Sequence, residues 1–83
     1  PNPFNGTTII PFELEETAQI FLTVYDVSGR VVNELVTGEK PAGMYHIEWD
    51  GKNSLGMNVS SGMYLYSLQS GEYKIFNKLL YLK

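Results

Sequence analysis

The chain contains no cysteine. No disulfide can staple it, and no thiolate is available as a metal ligand or nucleophile. It has one histidine, His46. That excludes a multi-histidine zinc site and leaves a single imidazole for acid–base chemistry. Positive charge is scarce and scattered, six Lys/Arg against nine Asp/Glu, for a net charge of −3. Duplex nucleic acid, held mainly by phosphate neutralisation, is therefore a poor fit. No apolar run is long enough to cross a bilayer, so no transmembrane segment is expected. No stretch sustains a capped helical apolar period, so no helix of note is expected. The 83 residues amount to 9.4 kDa, room for one small domain with a thin core.

What is present is strand, punctuated by eight glycines and four prolines. Thr7 to Leu14 reads as a first strand, with Ile10, Phe12 and Leu14 alternating inward. Pro11 within it cannot donate to a ladder and marks an edge or a bulge. Ala18 to Tyr25 is the clearest strand, with Ile20, Leu22 and Val24 on one face and Phe21, Thr23 and Tyr25 on the other. Asp26-Val27-Ser28-Gly29-Arg30 is a turn, capped by Asp26 and closed by Gly29. Val31 to Val36 returns as a third strand, with a short helix as the alternative. Thr37 to Gly43 reads as a turn-rich loop. Met44 to Trp49 alternates again, setting Tyr45, Ile47 and Trp49 against His46 and Glu48. Asp50 to Gly56 is dense in turn residues. Gly62 to Ser70 and Glu72 to Leu82 form the last two strands around Ser70-Gly71. Six or seven short strands without a helix predict a small all-β, immunoglobulin-like antiparallel β-sandwich, with a barrel as runner-up.

No catalytic constellation emerges. Glu13, Glu15 and Glu16 share one solvated strand end, whereas an acid–base pair needs two carboxylates in different environments. His46 lies opposite the apolar face of its strand, and no serine sits in a Gly-x-Ser-x-Gly setting. Asp50-Gly51-Lys52-Asn53-Ser54 faintly resembles a calcium loop, but Lys52 and the lack of a closing acid favour a turn in which Asp50 and Asn53 bond their own backbone. Neither enzyme nor metal nor other cofactor is expected. Aromatic residues make up 13% of the chain, enough to consider a sugar-stacking surface. Trp49, Tyr64 and Tyr66, however, share faces with Ile47 and Leu68 and are better read as core or core edge. Tyr73 and Tyr81 are the aromatics whose exposure matters most. Lys74, Lys78 and Lys83 put positive charge along the last strand, either guarding an edge or forming a surface for an anionic partner.

Taken together, five segments resemble a known module. Pro1-Asn2-Pro3-Phe4-Asn5 with Thr7-Thr8-Ile9 resembles the "PNPFNPTT" opening of type IX secretion system C-terminal sorting domains (type A), with Gly6 in place of a third proline. Val24 to Val32 resembles "VYDxxGRxV". Pro41-Ala42-Gly43 with Trp49 to Asn53 and Gly56 resembles "PAG…WDGxNxxG". Ser61 to Tyr66 resembles "SGxYxY", and Lys78 to Lys83 resembles the closing "KKMxxxK", with Asn77 where the first Lys is common. The same pattern is similar to the immunoglobulin-like domain of the flagellar hook-capping protein.

The sorting-domain resemblance implies a single domain over residues 1–83, excised from a longer exported protein. It implies a non-catalytic signal read by the type IX outer-membrane translocon and cut by a sortase-like peptidase. The N-terminal passenger would pass through the periplasm to the cell surface or medium. On that reading Gly62, Tyr64, Lys78, Leu79, Leu80, Tyr81, Leu82 and Lys83 form or support the recognised surface, and Gly29, Gly43, Asp50, Gly51 and Gly56 set turns. The alternative is a structural immunoglobulin-like module, either hook-capping-like or a spacer or carbohydrate-binding accessory domain of an extracellular enzyme or adhesin.

Overall fold

The computed structural model describes residues 7–83; the Pro1-Asn2-Pro3-Phe4-Asn5 motif and Gly6 lie outside them. Six strands follow in chain order: β1 (Thr8–Leu14), β2 (Ala18–Tyr25), β3 (Val31–Lys40), β4 (Gly43–Trp49), β5 (Gly62–Ser70) and β6 (Tyr73–Tyr81). β1 and β4 form one antiparallel sheet, and a second has the order β3-β2-β5-β6. Every pairing in that second sheet is also antiparallel. The domain is an immunoglobulin-like antiparallel β-sandwich, as the strand spacing predicts.

Alternation decides which side of each strand is covered. Ile20, Leu22 and Val24 point into the sandwich from β2 and are fully buried. Burial of each contributes about 1.5–3 kcal/mol relative to exposure. Ile10 and Leu14 meet them from β1, and Tyr64, Leu79 and Tyr81 from β5 and β6. Trp49, at the end of β4, is the hub at 0% exposure. Its ring lies 5.1 Å from that of Tyr64 and 5.2 Å from that of Tyr81. Its indole N–H donates to the Lys52 carbonyl at 3.0 Å, so the one polar atom of the side chain is satisfied inside.

Two expectations need correction. Thr37 to Lys40 is not loop: β3 continues to Lys40, with Thr37 opposite Phe21 and Gly38 opposite Ile20. Backbone pairing to β2 holds this segment although its side chains carry no strand pattern. The helical alternative for Val31 to Val36 falls for the same reason. The β3 register also slips twice, between Leu22 and Thr23 and between Val24 and Tyr25. These bulges break strict alternation in β3, so that Val32 and Val36 are buried while Val31 is exposed.

Candidate interaction surface

The turn after β2 is built as expected. The Asp26 carboxylate accepts from the Ser28 amide at 2.9 Å, the Ser28 hydroxyl at 2.6 Å and the Arg30 amide at 3.0 Å. The Ser28 hydroxyl, then the Arg30 amide, hold the Asp26 carboxyl below its ordinary range. Coulombic attraction to Arg30 contributes least, as expected of a 3.9 Å pair with an exposed guanidinium.

The segment after Trp49 closes on itself. The Asn53 side-chain carbonyl accepts from the amides of Leu55 and Met57, each at 3.0 Å. The Lys52 carbonyl accepts from both Trp49 and the Asn33 side chain, and the Lys52 ammonium donates to Asn58 at 3.0 Å. The Lys52 carbonyl and the Asn53 side-chain oxygen are thus committed to hydrogen bonds within the domain. Asn53 caps its own backbone; Asp50 is exposed, with no side-chain hydrogen bond among the described residues. No cluster of three or more metal-ligating side chains occurs among the described residues.

The aromatics divide cleanly. Trp49, Tyr64 and Tyr81 are core, and the Tyr64 hydroxyl donates to the Ser60 carbonyl at 2.6 Å. Tyr66 is half-buried. Tyr73 is 69% exposed, Tyr81 only 3%. The rings considered for sugar stacking therefore form no exposed platform. Of the residues assigned to recognition, Tyr64, Leu79 and Tyr81 face the core, Gly62 is half-buried, and Lys78, Leu80, Leu82 and Lys83 are exposed. Gly29, Gly43, Gly51 and Gly56 all occupy positive φ in the connections between strands or at a strand start. His46 is exposed beside Pro11 on the outer side of the two-stranded sheet.

The outer face of the four-stranded sheet leaves apolar residues uncovered. Cross-strand register places Val31, Tyr25 and Leu65 in one row, with Thr23, Ser67 and Phe76 in the next row of the same face. Val31 is 64% and Phe76 57% exposed. The Tyr25 ring tilts against that of Phe76 at 6.1 Å, and its hydroxyl lies 3.1 Å from the buried Ser67 hydroxyl. Around them Phe21, Thr23, Tyr25 and Ser67 floor an open depression, rimmed by Glu34 on β3 and Lys74 on β6. Alternation in β2 separated Phe21, Thr23 and Tyr25 from the core. That the face is completed by β5 and β6 was not legible locally.

A surface of this kind, open, mixed apolar and polar, on a rigid sandwich, suits contact with another protein rather than chemistry on a small molecule. The fold and its face define an immunoglobulin-like β-sandwich module. A family model for the FlgD Ig-like domain matches residues 2–75, and the chain belongs to that family. The basal-body rod modification protein FlgD of Salmonella typhimurium is 41% identical over 60 residues, which cover 71% of this chain and 26% of that protein. The protein of the same name from Salmonella typhi matches equally. The chain thus spans about a quarter of the length of these curated relatives. The structure of FlgD from P. aeruginosa matches with a TM-score of 0.70 at 29% identity, over 92% of this chain and 60% of that one.

This membership overturns the assignment to type IX sorting domains. With it fall the sorting-signal function, the translocon and sortase-like peptidase as partners, and the type IX route through the periplasm. The physical reason is visible in the motifs. Val24 to Val32 builds a hairpin, Trp49 to Asn53 builds the core hub and its loop, and Ser61 to Tyr66 starts a core strand. Such motifs specify a fold, and a fold does not carry a destination. An extracellular location is the part of the expectation that agrees with the family.

Proposed function

We propose that this domain is a structural module of an exported, FlgD-type flagellar assembly protein, working with hook components rather than catalysing a reaction. The single observation that supports this most strongly is the family match, which runs through residues 2–75. On this reading the domain over residues 1–83 is one unit of a longer chain. The sandwich supplies a rigid body, and its outer sheet face supplies an area where a neighbouring subunit can dock. Export by the flagellar apparatus would place it outside the cell.

The test is in-frame removal of residues 7–83 from the full-length gene in the strain that encodes it. The expected result is loss of hooks in electron micrographs and loss of swimming, with the shortened protein still produced. Normal hooks and normal motility would contradict the proposal.

A further inference from the structure

β6 forms one edge of the four-stranded sheet, and among the described residues no strand pairs with its other side. Natural sheets usually guard such an edge with proline, bulges, shortness or charged side chains, lysine above all. β1 carries Pro11, and the β2–β3 register is broken by two bulges. Of these devices β6 has only the two lysines, Lys74 and Lys78. It runs nine residues in unbroken register with β5, from Tyr73 opposite Ser70 to Tyr81 opposite Gly62.

Its outward row reads Lys74, Phe76, Lys78 and Leu80, since these lie opposite Gln69, Ser67, Leu65 and Met63 on the uncovered face. All four are exposed. The strand contains no acidic residue, and the one ion pair among the described residues, Arg30 with Asp26, is elsewhere. Lys74 lies over the Phe76 ring at 5.3 Å, and no carboxylate within the described residues answers Lys74 or Lys78. The two lysines disfavour pairing of β6 with β6 of a second copy of this chain. In any antiparallel self-pairing that keeps the row on one face, each lysine meets a lysine or an apolar side chain, never an acid.

We infer that β6 accepts an extended peptide segment of another protein by strand addition, and that the segment carries acidic and apolar side chains alternating along one face. Main-chain bonds along the free edge supply affinity, and the Lys74-Phe76-Lys78-Leu80 row supplies selectivity. The inference rests on the edge and its charge pattern, so it stands or falls apart from the flagellar reading.

The probe is the capped peptide Val-Thr-Glu-Thr-Val-Thr-Glu, titrated into the full 83-residue chain at low salt with amide NMR shifts as readout. Antiparallel addition sets its valines against Leu80 and Phe76 and its glutamates against Lys78 and Lys74. The expected result is shifts along β6 that fade with salt. K74E/K78E should bind roughly tenfold more weakly and should prefer the same peptide with Lys in place of Glu. N-methylation of the alternate set of peptide positions whose N–H groups face β6 should abolish binding, and of the other set should not. No binding at millimolar peptide, shifts confined to other strands, affinity indifferent to the charge reversal, or tolerance of both N-methylation patterns would each overturn the inference. So would a stable dimer of the chain formed through β6.

Discussion

Gly51 shows how one residue can tie a loop to the core. Its backbone adopts φ +74°, and a Cβ there would overlap the Tyr81 ring. Tyr81 cannot swing aside, because its ring is wedged against Trp49 at 5.2 Å. Gly51→Ala should therefore lose about 2–4 kcal/mol, combining left-handed backbone strain with overpacking. Gly29, at φ +92°, has nothing within 4 Å of such a Cβ. Gly29→Ala should lose only the backbone cost, about 1–2 kcal/mol. Urea denaturation of the two variants checks the difference, and equal losses would contradict this packing. At the same scale, Asp26 makes the domain sensitive to acid. Its carboxyl is held below the ordinary aspartate range in the fold, so the stabilisation is present above that range and is lost as pH falls through the folded value. D26N should flatten the acid limb of the stability profile while leaving its slope near neutral pH unchanged. A chemical-denaturation series across acidic pH reads this directly.

Strands, more than single residues, decide how the face is displayed. β6 has two sides with different work: Leu79 and Tyr81 enter the core, while Lys74, Phe76, Lys78 and Leu80 stay out. Removing Leu79 to Lys83 should therefore unfold the domain rather than silence a surface. Each large buried side chain lost costs about 2–5 kcal/mol, against a total for domains of about 5–15 kcal/mol. Far-UV circular dichroism of the truncated chain should show loss of β signal, and a native spectrum would contradict the core assignment.

Most strands were legible in the sequence because they alternate. Ile20, Leu22 and Val24 against Phe21, Thr23 and Tyr25 is the clearest case. The tail of β3 was not, because Thr37, Gly38 and Glu39 are strand only through their pairing with β2. The surface was half legible. In the sequence Lys78 and Leu80 group with Leu79 and Tyr81, but the structure sends the two pairs to opposite faces of β6, and the edge position of β6 depends on sheet order, which no local pattern encodes. The family assignment failed for a related reason: the shared motifs are hairpin, core-hub and turn residues, common to chains with different destinations.

At the scale of the whole molecule, the thin core makes the aromatic hub decisive. Trp49→Ala should leave the chain largely unfolded, since truncating a buried tryptophan costs about 3–5 kcal/mol. Tryptophan fluorescence is lost with this variant, so amide NMR dispersion is the appropriate readout. A folded, dispersed spectrum would contradict the hub. On the proposed function, this sandwich is interchangeable with the matching region of its FlgD relatives. A domain exchange tests it most directly. The immunoglobulin-like region of Salmonella typhimurium FlgD, to which 60 residues of this chain align at 41% identity, is replaced by residues 7–83. The exchanged protein is then the sole copy in a motility assay. Swimming and hooks at a measurable fraction of wild type are expected, and none when Trp49→Ala is added. A stable, secreted chimera that builds no hooks would contradict it.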